Sequence, residues 1–290
     1  MISGKDIIKH PRFALAKAFI LNAFPLIIFL GSISYWLYRT EVTANFDIVK
    51  SHEIHGLEKH QQFITEKFRT FTSDLLFLAK HTGTHLPSSN NEMASRSEIQ
   101  EIYLDFCRYK KIYDQVRFLD ASGMELVRIN YNNGNPFIVP NEELQFKGNR
   151  YYFTDTIKLA PGNIFISPLD LNIEHSAVER PFKPMIRLGA ITQGNGEKTA
   201  GIVFLNYFGA DLISGLTAYE EETDGQLMLL NRDGYWLKGV SPDQEWGFMF
   251  EEKKNLTFVN RFPLAWREIS HSDSGQFLNE EGLFTFTTIW

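Results

Sequence analysis

The sequence has very little cysteine and no excess of positive charge, and each shortage excludes a class of protein. Cys107 is the single cysteine among 290 residues, so neither an intrachain disulfide framework nor a cysteine-based zinc site can form. Lysine and arginine number 29 against 35 aspartates and glutamates, for a formal net charge of −6. A nucleic-acid-binding surface needs a basic patch that neutralises phosphates. We therefore predict no nucleic acid partner.

Sequence signatures of catalysis are missing as well. Residues 194–199 read GNGEKT, where Glu197 separates glycine from lysine, so the spacing does not match a phosphate loop. His52 and His55 are not in the HExxH zinc arrangement, and no GxSxG nucleophile motif occurs. We predict no catalytic residue, no metal site and no cofactor in this chain. A kinase or cyclase domain that follows in a longer product remains open.

A long apolar run is the most informative feature that is present. Residues 18–38 read AFILNAFPLIIFLGSISYWLY without a charge, and about 20 apolar residues cross a bilayer as a helix. Four basic residues precede the run: Lys5, Lys9, Arg12 and Lys17. Because positive flanks stay in the cytoplasm, we predict a cytoplasmic N-terminus, one span of a bacterial inner membrane within 1–40, and a periplasmic domain after it.

An alternative for the same run is a cleaved signal peptide, with Val42-Thr43-Ala44 as the cleavage site. The apolar cores of signal peptides usually run about 7–15 residues. This run is longer, which favours a retained anchor.

After the anchor the periodicity is first helical and then strand-like, which predicts the α+β class. Apolar residues at steps of three and four predict a long amphipathic helix over 41–81. A second helix is predicted over 97–109, with Ser95 or Ser97 as its cap. From residue 115 onward, β-rich runs alternate with glycine-containing turns.

An internal repeat predicts two copies of one module. Residues 115–123 (QVRFLDASG) match residues 226–234 (QLMLLNRDG), each an apolar strand followed by Asp or Asn, two turn residues and Gly. The boundary is expected near 211–225. In the second copy, four further runs are strand-like: 248–250, 258–262, 275–278 and 283–290. Since the last run is unfinished, we expect the natural product to continue.

Arginine, aromatic and aspartate residues gather in three segments of the first module. These segments hold Arg150-Tyr151-Tyr152-Phe153, then Asp170, then Arg187. The arginine fork suits a carboxylate, aspartate pairs with an amine, and aromatic walls exclude water. The combination predicts a pocket for a small zwitterion or carboxylate. An internal ion pair between Arg150 and Asp170 within an aromatic core is the alternative.

The chain resembles the extracytoplasmic double Cache (PAS-like) sensor domains of bacterial transmembrane receptors, of the sensor histidine kinase or diguanylate cyclase type. Five segments carry the resemblance, which covers about 41–290: YDQVRFLDASGMELVRINY, NRYYF, ISPLDLN, PFKPMIRLG and GIVFLNYFGADL. It implies two stacked modules, each an antiparallel sheet flanked by helices. The implied divisions are a membrane helix in 1–40, a spine helix over 41–81, a ligand-binding distal module over 82–212 and a truncated proximal module over 213–290.

The resemblance also implies site residues and a function. In amino-acid-binding relatives an Arg-x-Trp-Tyr run and a later Asp contact the ligand. Here Arg150, Tyr152, Phe153 and Asp170 occupy similar places, with Tyr152 for Trp and Phe153 for Tyr; we add Arg187 from its strand position. The implied function is periplasmic sensing of a carboxylate or amino-acid-like molecule by a homodimer, as the input of a sensor histidine kinase. Alternatives are the input of a diguanylate cyclase or chemoreceptor, or a partner-binding module without a small ligand.

Overall fold

The structure is a computed structural model that describes residues 11–86, 92–174, 177–194, 199–218 and 225–289. The chain divides into two compact units, one ending at Glu53 and the other beginning at Ile54. Helices and antiparallel strands are both abundant in the second unit. The predicted α+β class is therefore confirmed.

The first helix, α1, runs from Pro11 to His85 and includes the predicted apolar run. An 18-residue window in it has a mean hydropathy of 1.8, and none of that window is buried in the protein. Polar side chains within the run bond to their own helix: Asn22 Nδ2 donates to the Ala18 carbonyl at 2.7 Å and Ser32 Oγ to the Ile28 carbonyl at 2.8 Å. This segment thus satisfies its polar groups internally, as a membrane helix must.

The predicted spine helix lies within α1, and the second predicted helix is longer than expected. Helix α2 extends from Glu92 to Lys110. Ser95 and Ser97 therefore lie inside the helix, and their prediction as caps was wrong. The helix opens with Glu92, Met93 and Ala94, which are good helix formers, so it begins before either serine.

A seven-stranded antiparallel sheet forms the centre of the second unit. Its strand order is β3-β2-β1-β9-β8-β4, and β5 also pairs with β8. Strands β6 and β7 form a separate pair. The strands are β1 (Tyr113–Asp120), β2 (Glu125–Asn130), β3 (Phe137–Ile138), β4 (Ile164–Ile166), β5 (Asp170–Leu171), β6 (Ile173–Glu174), β7 (Ala177–Val178), β8 (Pro184–Gln193) and β9 (Thr199–Phe208).

The main apolar core lies between one face of this sheet and helices α1 and α2. Phe71 of α1 is fully buried, with its ring 6.2 Å from Tyr113 and 4.0 Å from Tyr207. Thr192 of β8 donates a hydrogen bond to the Ala79 carbonyl at 2.6 Å. Successive side chains of a strand point to opposite faces of the sheet. The strand residues that alternate with these core residues therefore point to the face away from α1 and α2.

The C-terminal part consists of short helices and two-stranded ribbons. Two of the predicted strands are wrong: residues 247–249 form a 3-10 turn and residues 258–261 form a helix. Thr257 explains the second difference. Its hydroxyl accepts a hydrogen bond from the backbone N–H of Asn260 at 3.1 Å and so caps that helix. The other two predictions are confirmed by β12 and β13. The elements are α4 (Gly209–Thr217), β10 (Leu229–Leu230), β11 (Trp236–Lys238), α5 (Phe258–Arg261), α6 (Pro263–Ile269), β12 (Ser274–Asn279) and β13 (Gly282–Thr287).

The two copies of the sequence repeat form the same turn. Asp120 Oδ1 accepts the amides of the residues two and four positions later, at 2.8 and 3.0 Å. Asn231 Oδ1 does the same at 3.1 and 2.9 Å. Gly123 and Gly234 follow with φ of 94° and 77°, a region that favours glycine. The repeated hairpin is confirmed, while the domain limits stay a prediction.

Candidate ligand-binding cleft

A polar cleft opens on the sheet face opposite α1 and α2. Its volume is about 90 Å³, whereas one water needs about 10–15 Å³ by the same kind of measure. The cleft therefore suits a molecule of a few heavy atoms. Helix α3 (Tyr151–Thr156) and the segment around β5 close its sides. Its lining consists of Gln115, Arg117, Glu125, Arg128, Gln145, Lys147, Arg150, Tyr151, Tyr152, Asp170, Leu171, Asn172, Ile173, Arg187 and Asn206.

Two arginines share one glutamate at the β1–β2 end of the cleft. Arg117 and Arg128 are direct cross-strand partners. Glu125 Oε1 lies 3.6 Å from Arg117 Nη1, and Glu125 Oε2 lies 3.0 Å from Arg128 Nη1. All three side chains are buried. Because like charges on opposite strands repel, Glu125 is what allows the two guanidinium groups to lie side by side.

Arg117 also contacts the aromatic wall of the cleft. Its Nη2 donates to Asn206 Oδ1 at 2.8 Å. Its guanidinium carbon lies 5.5 Å from the centroid of the Tyr152 ring and 5.7 Å from that of Phe204. These distances are in the range of cation–π attraction. The aromatic rings therefore hold the arginine in place without neutralising its charge.

A second charged group lies at the β5–β8 end. Arg187 Nη1 donates to Asp170 Oδ1 at 2.6 Å, and its Nη2 donates to Asn172 Oδ1 at 3.2 Å. The backbone amide of Arg187 donates to Ser167 Oγ at 2.9 Å. Strand β5 pairs with β8 and brings these groups together, although they are far apart in sequence.

The charges of the cleft change the ionisation of its tyrosine. Burial by itself would raise the pKa of Tyr152, but Arg117, Lys147 and Arg187 outweigh that effect, so the pKa lies below its ordinary value. Burial raises the pKa of Asp170, although Arg187 opposes this. The same three cations make the potential at the Tyr152 hydroxyl positive.

The structure brings four of the five predicted site residues to the cleft. Arg150, Tyr152, Asp170 and Arg187 line it, while Phe153 packs in an apolar cluster with Leu119, Ile202 and Phe204 behind it. The alternative ion pair between Arg150 and Asp170 does not form, because Asp170 pairs with Arg187. In the described part of the chain, the exposed Arg150 guanidinium makes no hydrogen bond or ion pair. Ligand contact by these residues stays a prediction.

Sequence reasoning missed the charged group at the other end of the cleft. Arg117, Glu125 and Arg128 lie within the hairpin that was recognised from its turn. The signal was the position of Arg117 between the apolar Val116 and Phe118, which places the arginine on the sheet face opposite to theirs. For metal chemistry, the described residues contain no group of three or more His, Cys, Asp or Glu side chains that could hold an ion.

Solved structures with the same fold include an extracellular domain and a sensory domain. The domain of a protein assigned to the sensory box/GGDEF family of Vibrio parahaemolyticus has a TM-score of 0.69 and 23% identity, covering 85% of this chain and 92% of that one. The extracellular domain of a protein assigned as the histidine kinase vpHK1S-Z8 has a TM-score of 0.66 and 22% identity, covering 82% and 85%. The isoleucine-bound sensory domain of the Campylobacter jejuni chemoreceptor Tlp3 has a TM-score of 0.56 and 13% identity, covering 82% and 86%.

At these identities the similarities show the fold. None of the curated proteins compared with this sequence matches it. The family described as "Bacterial histidine kinase, sensor domain" matches residues 68–290, which include the whole sheet, the cleft and the C-terminal ribbons. The resemblance inferred from the sequence is thereby confirmed, and the chain belongs to the family of bacterial histidine kinase sensor domains.

Proposed function

We propose that the cleft binds a small carboxylate or amino-acid-like molecule and that binding controls a kinase in the same receptor. The observation that carries this proposal is a cleft of small volume whose walls combine arginine, aspartate and aromatic side chains. Guanidinium groups suit carboxylates. The isoleucine bound to the sensory domain of the chemoreceptor Tlp3 supports a ligand of this size.

The proposed arrangement places the cleft in a membrane-distal module over 82–212 of a periplasmic domain, with a proximal module over 213–290. The basic residues before the apolar run favour a cytoplasmic N-terminus. Ligand binding shifts the population of positions of α1, which packs on the back of the sheet through Phe71. In a homodimer, this displacement changes the relation between the two membrane helices and hence the output. A kinase output follows the family; a cyclase or chemoreceptor output would use the same input.

The first test is the replacement of Arg150 by alanine. We expect ligand affinity to fall about 10- to 100-fold, the loss of one hydrogen-bonded charge, with little change in stability because the side chain is exposed. Thermal unfolding of the full chain in detergent micelles is measured with a panel of L-amino acids and organic acids. A ligand at 100 times its dissociation constant stabilises the wild type by about 2.7 kcal/mol.

The matched control is Lys158→Ala, which removes a similarly exposed cation that pairs with Asp155 outside the cleft. It should leave every ligand response unchanged. Stabilisation that is equal in Arg150→Ala and the wild type would contradict the assignment of Arg150. If no compound stabilises the well-folded wild type, small-molecule sensing is wrong and a protein partner becomes the better explanation.

A further inference from the structure

The charges that line the cleft do not balance. Five cationic side chains contribute to the lining, whereas only two carboxylates do. The carboxylates are Glu125 and Asp170; the cations are Arg117, Arg128, Lys147, Arg150 and Arg187. A neutral zwitterion leaves such an excess in place. A ligand that carries net negative charge reduces it.

The excess is most costly at the β1–β2 end, because the groups are buried there. Glu125 offers one negative charge to two guanidinium groups. Its Oε2 also accepts a hydrogen bond from the backbone N–H of Gln145 at 3.0 Å. Arg117 Nε and Arg128 Nε are both buried and have no hydrogen-bond partner in the described part of the chain. A buried, uncompensated charge is strongly unfavourable. An anionic group in the cleft would supply the missing negative charge.

The β5–β8 end offers a second place for an anionic group. Asp170 already balances Arg187, but the Arg150 guanidinium adds a further positive charge to the lining of the same cleft. Arg117 and Arg187 lie on strands separated only by β9, where they are paired with Phe204 and Asn206. Two strand spacings across and two residues along put their backbones about 12 Å apart. Their guanidinium carbons are 5.5 and 5.8 Å from the centroid of the same Tyr152 ring.

From this arrangement we infer that the ligand is a small dicarboxylate that bridges the two cationic ends of the cleft across Tyr152. One carboxylate lies against Arg117 and Arg128, and the other against Arg150 and Arg187. A chain of four or five carbons, with hydrogen bonds of about 2.8 Å at each end, suits two guanidinium groups whose carbons lie 5.5 and 5.8 Å from one ring centroid. This inference rests on the proposed function, which it narrows from any small carboxylate to a dianion.

Three four-carbon probes that differ only in their second end group test the inference. Succinate carries a second carboxylate, butyrate a methyl group and 4-aminobutyrate an ammonium group. Binding to the full chain in detergent micelles is measured by isothermal titration calorimetry at constant ionic strength. We expect succinate to bind at least about 10-fold more tightly than butyrate, the gain of one charge-assisted contact, and 4-aminobutyrate to bind most weakly.

The possible outcomes separate this inference from the proposed function. Tighter binding of succinate than of the other two probes supports a dianion. Binding of butyrate, 4-aminobutyrate or an L-amino acid as tight as that of succinate overturns the dianion and leaves small-molecule sensing intact. Equally tight binding of inorganic phosphate overturns the two-ended arrangement, because one compact dianion then suffices. A complete lack of binding across the amino acid and organic acid panel overturns both proposals.

Discussion

Replacing Glu125 by glutamine is expected to lower the free energy of unfolding by about 3 kcal/mol, because it leaves two buried arginines without their shared counter-charge. Glu125 is 1% exposed and lies between Arg117 and Arg128. Glutamine keeps the shape of the side chain and one acceptor oxygen. The decrease in the free energy of unfolding therefore measures the contribution of the negative charge. Urea unfolding of the full chain in micelles, followed by circular dichroism, gives the difference.

The matched control is Glu142→Gln, which makes the same chemical change in an exposed 3-10 turn. Its effect should stay within about 0.5 kcal/mol. In the double variant Glu125→Gln with Arg128→Met, one of the unpaired cations is also removed, and part of the stability should return. A Glu125→Gln protein as stable as the wild type would show that the arginines do not need this carboxylate.

The same variant connects stability to ligand binding. Glu125→Gln increases the positive excess of the cleft by one charge, so a dicarboxylate should stabilise the variant more than the wild type. A monoanion should show a smaller gain. A purely structural role for Glu125 predicts the same ligand response in both proteins.

The features that the sequence predicted correctly depend on local physics. The apolar run needs only its length and lack of charge, and the hairpin turns need only Asp120 or Asn231 followed by glycine. One of the two wrong strand predictions also has a local cause. The aromatic residues of 258–262 led to the prediction of a strand. The side chain of Thr257 caps a helix there instead.

The parts that could not be predicted depend on strand pairing. Arg117 and Arg128 are recognisable as neighbours only once β1 and β2 are in register, and Asn206 reaches Arg117 only because β9 lies next to β1. Four predicted residues do line the cleft: a motif fixed the approximate place of Arg150, Tyr152 and Asp170, and Arg187 was predicted from its strand position. Phe153 does not, since it follows Tyr152 on a helix, about 100° further round the axis, and packs into the apolar cluster with Leu119 and Ile202.

Strand β5 connects the cleft to the C-terminal part of the protein. Successive residues of a strand face opposite sides, and Asp170 contacts Arg187 while Leu171 is fully buried in a cluster with Leu237 and Trp246. The Leu171 amide also contacts Met249 Sδ at 3.1 Å. A ligand that binds Arg187 in place of Asp170 would move Asp170. Because the next residue, Leu171, is packed against Leu237 and Trp246, the movement would reach the C-terminal part of the protein.

Replacing Leu171 by alanine is therefore expected to have two effects. The free energy of unfolding should fall by about 3 kcal/mol, as for other fully buried leucines. In the variant that still binds ligand, backbone amides of residues 236–246 should lose the ligand-dependent protection that hydrogen exchange detects in the wild type. The control is Ile166→Ala on β4, where the side chain is 40% exposed and the loss should stay below about 1 kcal/mol.

A milder variant keeps the second effect measurable if Leu171→Ala is too unstable. Met249→Leu preserves the apolar volume but removes the sulfur that contacts the Leu171 amide. It should remain folded and bind ligand with nearly the wild-type affinity, since Met249 does not line the cleft, while the protection of residues 236–246 weakens. Unchanged ligand-dependent protection in both variants would mean that the signal leaves the cleft by another path, the closest being the packing of Phe71 of α1 on the back of the sheet.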